Sequence, residues 1–185
     1  MQLRIKFAVL AVALTLAGSS FQAKAQAIPT AQKRGDVDAF FLYGRANTDY
    51  GPVKNNVYTF GVDYMFRPIR FGQPGVNVRY SRSSGSVVDE PFFGGGLDWR
   101  FREHYHVRPY AVADIGVGSL KVKANGFDDS GTSYILGGGA DIPITSRFAG
   151  RVEFDYQHIK ISGGAGPDLT FTPYSINFGV VYRIK

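Results

Sequence analysis

From Tyr174 to Ile184 apolar and polar positions alternate residue by residue. Tyr174, Ile176, Phe178, Val180, Tyr182 and Ile184 share one face, Ser175, Asn177, Gly179 and Arg183 share the other, and only Val181 breaks the pattern. Successive side chains of a strand point to opposite faces, so this segment is predicted to be a strand with one unbroken apolar and aromatic face. Its apolar set runs about 33 Å along the strand, or about 25 Å in height at a tilt near 40°. That is long for a strand in water.

Seven earlier segments between Gly35 and Gln157 repeat the alternation, and none has the 3.6-residue period of an amphipathic helix. The first, Asp36–Arg45, sets Val37, Ala39, Phe41 and Tyr43 on one face, with the apolar Phe40 and Leu42 weakening the other. The second, Asn56–Phe66, alternates Tyr58, Phe60, Val62, Tyr64 and Phe66 with Thr59, Gly61, Asp63 and Met65. The third, Gly75–Arg82, opposes Val76, Val78 and Tyr80 to Asn77, Arg79 and Ser81. The fourth, Phe92–Phe101, opposes Phe93, Leu97, Trp99 and Phe101 to Gly94, Gly96, Asp98 and Arg100. In the fifth, Pro109–Gly118, Ala111, Ala113, Ile115 and Val117 face away from Asp114, Gly116 and Gly118. The sixth, Ser133–Ile142, sets Tyr134, Leu136, Ala140 and Ile142 against Gly137, Gly139 and Asp141. The seventh interleaves Val152, Phe154 and Tyr156 with Arg151, Glu153, Asp155 and Gln157.

Eight such strands describe a closed antiparallel barrel, but alternation does not say which face is inside. A soluble, lipocalin-like barrel binding a small apolar ligand has the same pattern inverted. Aromatic residues gather near both ends of the apolar faces (Tyr58 and Phe66, Tyr174 and Tyr182), as the interfacial girdles of a membrane barrel require. The polar faces carry both signs of charge, which can neutralise each other in a narrow lumen. The Thr48-Asp49-Tyr50 triplet echoes a lipocalin motif, but the matching Gly-x-Trp near the first strand is absent. The expected architecture is therefore an eight-stranded antiparallel up-and-down transmembrane β-barrel. Its lipid-facing anchors are Phe93, Trp99, Tyr156, Phe178 and Tyr182, and its lumen residues Asp63, Arg79, Asp98, Arg100, Arg151, Glu153 and Asp155.

The N-terminus supplies a reason for the chain to reach such a membrane. Arg4 and Lys6 precede an apolar run from Phe7 to Ala17 broken by Thr15, and Ala23-Lys24-Ala25 fits the small-x-small pattern of a signal peptidase site. Residues 1–25 are thus expected to be a cleavable signal peptide, 26–34 a short periplasmic segment, and 35–185 the barrel domain. The run is too short to span a bilayer as a helix. Loss of Arg4, Lys6 and Lys24 takes three from the formal net charge of +6, leaving too little to argue for nucleic acid. The chain has no cysteine, which excludes disulfides, thiol catalysis and a lipoprotein anchor.

These features resemble the small outer-membrane β-barrel protein family, similar to the OmpA transmembrane domain. The resemblance rests on the signal peptide, Gly137-Gly138-Gly139-Ala140-Asp141, Arg108-Pro109-Tyr110 and the terminal Phe178-Gly179-Val180-Val181-Tyr182-Arg183-Ile184, and covers most of 35–185. It implies an outer-membrane location, contact with outer-membrane lipids and lipopolysaccharide, delivery by the barrel-assembly machinery through the last strand, and a monomer. The family usually ends on an aromatic residue, where this chain has Ile184 followed by Lys185. An even strand number returns both ends to the periplasm. The outer connections then fall near 46–55, 83–91, 119–131 and 162–171, and shorter periplasmic ones near 67–74, 102–107 and 143–146. Basic residues on the periplasmic side (Arg67, Arg70, Arg102, Arg108, Arg147) suit contact with phospholipid headgroups.

No catalytic, cofactor or metal residue is nominated. Asn125 and Asp128-Asp129-Ser130-Gly131 lack the spacing of a calcium loop, and the Gly94–Gly96 and Gly137–Gly139 runs lack the Lys-Ser/Thr of a phosphate loop. Some small outer-membrane barrels act on lipid A, and those resembling the lipid A deacylase carry a His-x-Ser pair, but here His158 is followed by Ile159-Lys160, with Ser162 about 13 Å away on an extended strand. His104 and His106 fall in a periplasmic turn. The expected role is non-enzymatic: structural or membrane-stabilising, or surface interaction through the outer loops, with a narrow channel, a lipid A-modifying enzyme and a soluble ligand-binding barrel as alternatives.

Overall fold

The computed structural model describes residues 35–49, 54–124, 126–161 and 169–184. The expected signal peptide and the segment 26–34 lie outside the described residues, as does Ser162. The described residues form one antiparallel sheet: β1 (Asp36–Asn47), β2 (Lys54–Met65), β3 (Gln73–Ser84), β4 (Val88–Arg100), β5 (Arg108–Val122), β6 (Phe127–Pro143), β7 (Phe148–Ile161), β8 (Leu169–Phe171) and β9 (Tyr174–Arg183). Strands β1 to β7 pair in sequence order, and β9 lies between β7 and β1, so the sheet closes on itself. The short β8 pairs with the end of β7 and continues β9 beyond Thr172-Pro173. Proline has no N–H to give the ladder, but its carbonyl accepts from the Gln157 N–H at 2.8 Å. Nine segments thus make eight staves of an up-and-down barrel.

Every stave presents the face its alternation predicts. Phe41, Tyr58, Phe60, Phe93, Leu97, Phe154, Ile176, Phe178 and Val180 are exposed on the outside, while Asp63, Asn77, Arg79, Asp98, Arg100, Arg151, Glu153 and Asp155 are buried within. This is the inverse of a lipocalin-type interior. Val181, the break in the last strand's pattern, turns inward beside Phe40 and Leu42, the residues that weakened the first strand, and the three form one buried cluster. Register explains it, since Phe40 stands opposite Val181 across the β1–β9 pair.

The strands run further than expected at the end remote from the termini. Connections placed at 46–55, 83–91, 119–131 and 162–171 shrink, because β1 extends to Asn47, β3 to Ser84 and β5 to Val122, while β6 starts at Phe127 and β8 occupies Leu169–Phe171. Among the connections the described residues show, the expected asymmetry of loop length is not seen: the turns 66–72 and 101–107 at the terminus-bearing end are longer than 85–87 and 123–126 at the far end, and 144–147 is as short as the latter. What extends the far end is paired strand. Its side chains change phase there. On β5 the apolar set moves from outward Ile115 and Val117 to inward Leu120 and Val122, with Lys121 outside; on β7 it moves from outward Phe154 and Tyr156 to inward Ile159 and Ile161, with Lys160 outside. Val88, Leu120, Val122, Ile159 and Ile161 pack into a buried plug across the far mouth, with Val87 and Phe171 against it. A strand that leaves lipid for water has to exchange its apolar and polar faces, and this exchange marks the upper edge of the lipid band.

The turns 66–72 and 101–107 share a frame. Phe66 N–H donates to the Pro74 carbonyl and Phe101 N–H to the Pro109 carbonyl, both at 2.8 Å, with a small bridge inside each (Ile69 with Gly72, His104 with Val107). His104 and His106 are exposed in the second turn, as expected.

Shortening a plug residue should cost more than shortening a lipid-facing one, because lipid fills the space the latter leaves. Leu120→Ala is expected to lower stability by about 2–5 kcal/mol, and Leu136→Ala on the outer face by distinctly less, read from urea unfolding midpoints in lipid vesicles. Equal losses would show that no plug forms.

Candidate functional site: the charged lumen

Eight strands enclose an interior just wide enough for side chains to fill. Three arginines on different staves span it. Arg79 of β3 places Nε 2.8 Å from Asp114 Oδ2 and Nη1 3.1 Å from Glu153 Oε1, with Asp155 Oδ1 at 3.6 Å. Arg100 of β4 places Nη1 2.5 Å from Asp38 Oδ2, Nη2 3.2 Å from Asp63 Oδ2 and Nε 3.7 Å from Asp141 Oδ2. Arg151 of β7 grips Asp141 with two nitrogens, at 2.7 and 3.1 Å, and reaches Asp63 Oδ2 at 3.1 Å. Asp63 and Asp141 are each shared by Arg100 and Arg151, and Tyr110, stacked on Arg151 and bonded to Glu153, links them to the acids of Arg79 in one network. Opposite walls are tied by it, β3 to β7, β4 to β1 and β7 to β2.

Aromatic rings complete the network. Phe40 lies between two guanidinium groups, with Arg79 Cζ 5.5 Å and Arg151 Cζ 5.0 Å from its centroid. Tyr110 holds Arg151 over its ring at 4.5 Å and donates its hydroxyl to Glu153 Oε2 at 2.6 Å. Such stacking is worth most where the cation is dehydrated. Glycine makes the room: a Cβ on Gly61 would come within 2.6 Å of the Phe40 ring, and one on Gly139 within 2.9 Å of the Tyr110 hydroxyl oxygen. Neither ring was foreseen as part of the lumen. The signal for Phe40 was present, since it breaks the polar face of its strand.

All seven expected lumen residues are brought together here, and Asp38, Asp114, Asp141 and Asn77 join them. Acids outnumber bases. The buried inward positions hold nine carboxylates (Asp36, Asp38, Asp63, Glu90, Asp98, Asp114, Asp141, Glu153, Asp155) and three guanidinium groups. Amide and hydroxyl groups take part of the surplus. Asn77 Nδ2 donates to both Asp98 Oδ1 and Asp114 Oδ1 at 2.8 Å, and Asn177 Nδ2 donates to Asp155 Oδ2 at 3.0 Å. Asp98 Oδ2 accepts no hydrogen bond from any described residue.

Space within the lumen is small: one cavity beside Asp38, Asp141 and Arg183 holds about 100 Å³ and another beneath the plug, beside Glu90 and Asp155, about 20 Å³. Larger hollows lie at the surface, about 310 Å³ between the turns 66–72 and 101–107 and about 230 Å³ beside Arg82, Asp89 and Lys121. Among the described residues no group of three His, Cys, Asp or Glu side chains is placed to hold a metal ion. His158 faces outward and stacks on Tyr134, ring centroids 4.7 Å apart and planes 13° apart. The proposed anchors Phe93, Tyr156, Phe178 and Tyr182 are exposed on the outer face, and Trp99 is partly covered.

Comparison with known proteins agrees with this geometry. A family model described as an outer membrane protein beta-barrel domain matches residues 10–183. No curated protein sequence matches the chain. Among solved structures it is similar to Neisserial surface protein A, at TM-score 0.61 and 17% identity, over 80% of this chain and 96% of that one. The N-terminal β-barrel domain of Pseudomonas aeruginosa OprF is also similar, at TM-score 0.58 and 13% identity, over 82% and 100%. At these identities the likeness speaks for the fold. The outer membrane enzyme PagL matches at TM-score 0.47 and 14% identity, over 77% and 97%, too distant a likeness to bear on activity.

Removing Arg151 leaves Arg100 alone against both Asp63 and Asp141 and takes away the paired grip on Asp141, whereas neutralising a surplus acid leaves no base unpaired. Arg151→Met should therefore cost about 3–5 kcal/mol, while Asp98→Asn, which keeps an acceptor for Asn77, should leave the unfolding midpoint unchanged or raise it. A loss for Asp98→Asn as large as that for Arg151→Met would contradict the acid surplus.

Proposed function

The chain belongs to the outer membrane protein beta-barrel domain family, and on that premise we propose that it is a non-enzymatic barrel whose role is to stabilise the outer membrane and to make contacts at the cell surface through its far end. The observation that carries this reading is the division of its faces: an apolar, aromatic outside around a lumen filled by mutually paired charges. A protein built in this way uses its interior to hold itself together, leaving the outer wall and the ends to act.

With an even number of staves, both termini lie on the periplasmic side and the plugged mouth faces out. The plug and the crossing arginines argue against a steady conducting pore. The His158 ring lies flat on Tyr134, an aromatic contact and not the pairing with a nucleophile that hydrolysis would need. A non-enzymatic role also agrees with the tight packing of Arg79, Asp114 and Glu153, since acids and bases held by one another are not free to exchange protons with a substrate. The last strand β9 is the natural recognition element for the assembly machinery. Lipids, lipopolysaccharide included, are the expected neighbours, and one closed barrel needs no second copy.

Gel mobility tests the lipid-solvated reading directly. The chain from residue 26 to 185, refolded in detergent, is expected to migrate differently with and without boiling, because a closed barrel resists SDS until heated. An unchanged mobility together with solubility in plain buffer would overturn the reading.

A further inference from the structure

The upper aromatic girdle is followed by a belt of cations. Above Tyr43 on β1 the next outward position is Arg45; above Tyr58 on β2 come Asn56 and Lys54; above Tyr80 on β3 comes Arg82; on β5 and β7, Lys121 and Lys160 stand where the faces exchange. Each step of two residues adds about 7 Å along the strand, so these cations sit just above the lipid band. The belt is not uniform. On the side formed by β3 to β6 it is neutralised within the protein: Asp89 takes Arg82 at 3.0 Å and Lys123 at 3.2 Å, and Lys121 pairs with Asp128 at 2.7 Å. On the β1–β2 side Arg45 and Lys54 are exposed and pair with no acid among the described residues.

Around this unneutralised pair the polar groups are already fixed. Arg45 stands opposite Asn56 and Lys54 opposite Asn47, so the two cations are diagonal neighbours, about 7–8 Å apart at the backbone. Asn56 Oδ1 accepts from the Tyr43 hydroxyl at 3.2 Å, which leaves its amino group as the donor end, and Asn47 Nδ2 donates to the Tyr174 oxygen at 3.1 Å. Asp49, the nearby acid on the same strand end, is engaged by the Thr172 N–H and hydroxyl at 3.3 and 3.0 Å. A guanidinium fork, an ammonium and an amide donor on one wall, at headgroup height and directly above tyrosines that seat acyl chains, match a phosphate carried on a lipid.

Resting on the outer-membrane reading above, we infer that Arg45, Lys54 and Asn56 form a docking site on the outer wall of the barrel for the phosphate of a phosphorylated glycolipid of the outer leaflet. The fork of Arg45 takes two phosphate oxygens, Lys54 supplies a second positive charge, and Tyr43, Tyr58 and Tyr174 support the sugar and upper acyl chains. The paired cations of the opposite side offer no comparable charge.

The test measures lipid carried by the refolded chain in detergent micelles doped with bisphosphorylated lipid A, its monophosphorylated form or phosphatidylglycerol, with native mass spectrometry counting bound lipid. Bisphosphorylated lipid A is expected to be retained best. Arg45→Ser/Lys54→Ser should lower that retention about tenfold, whereas Lys121→Ser/Lys123→Ser, with the same loss of charge, should retain as the unaltered chain does. Inorganic phosphate at equal concentration should not displace the lipid. Equal retention by the Arg45/Lys54 variant, no preference over phosphatidylglycerol, or displacement by inorganic phosphate would each overturn the site. The lipid comparison on the unaltered chain decides the matter even where a variant folds poorly. The heat-dependent gel shift separates the two readings, since a barrel that shifts but retains no lipid A keeps the proposed function and loses this site.

Discussion

A barrel of eight strands has an interior that side chains must fill, and in this protein the filling is ionic. Arg79, Arg100 and Arg151 each leave one wall and end among carboxylates of others, so the closure of the sheet and the neutralisation of the lumen depend on each other. A guanidinium in such a place is stable only if its hydrogen bonds are met in several directions, which is why Asp63 and Asp141 are shared and why Phe40 and Tyr110 cover the flat faces. Small residues follow from the same need: the ring of Phe40 occupies space that a side chain on Gly61 would take.

The outer wall meets two solvents, and its residues record where one gives way to the other. Within the lipid band the outside is apolar and the inside charged. Beyond Val117 on β5 and Tyr156 on β7 the arrangement reverses, with Lys121 and Lys160 outside and Leu120, Val122, Ile159 and Ile161 within. Above the band the barrel has the cross-section of a soluble one. Its apolar plug replaces the work the lipid does lower down, holding strands together by burying surface from water.

Much of this was legible in the sequence because alternation in a strand is a direct record of two environments. The faces of all eight staves, the lumen residues from Asp63 to Asp155 and the lipid-facing aromatics follow from it. What escaped were places where the record is read against one assumed environment. Phe40, Leu42 and Val181 looked like defects in polar or apolar faces and are instead a small inner cluster; only the register of β1 on β9 shows that they meet. The segment 119–131 looked like a loop because its charges and glycines are turn-rich, yet Ser119 to Val122 and Phe127 to Ser130 pair as strand. The shift of apolar residues from odd to even positions across Gly118 was the available signal, since a loop has no reason to keep a period of two. The shared acids were out of reach, for no spacing along the chain brings Asp38, Asp63 and Asp141 to one guanidinium.

The same exchange of faces gives the cation belt its meaning. A lysine or arginine on a soluble surface is ordinarily solvated and carries no message. Here the positions are fixed in height by the tyrosines beneath them and by the point at which the strands cease to face lipid, so the charges stand at a known depth in a layered medium. At that depth, neighbouring acids on one side of the barrel satisfy Arg82, Lys121 and Lys123, and the absence of such partners among the described residues beside Arg45 and Lys54 leaves a local positive field on the other. An exposed field of this kind in water is screened within about 8 Å at physiological salt. Against a headgroup layer, where the counter-charge is covalently attached to the lipid that already packs on Tyr43 and Tyr58, apolar contact and ion pairing act on one molecule together, and the wall selects for phosphate where the lumen, saturated with its own acids, selects for nothing.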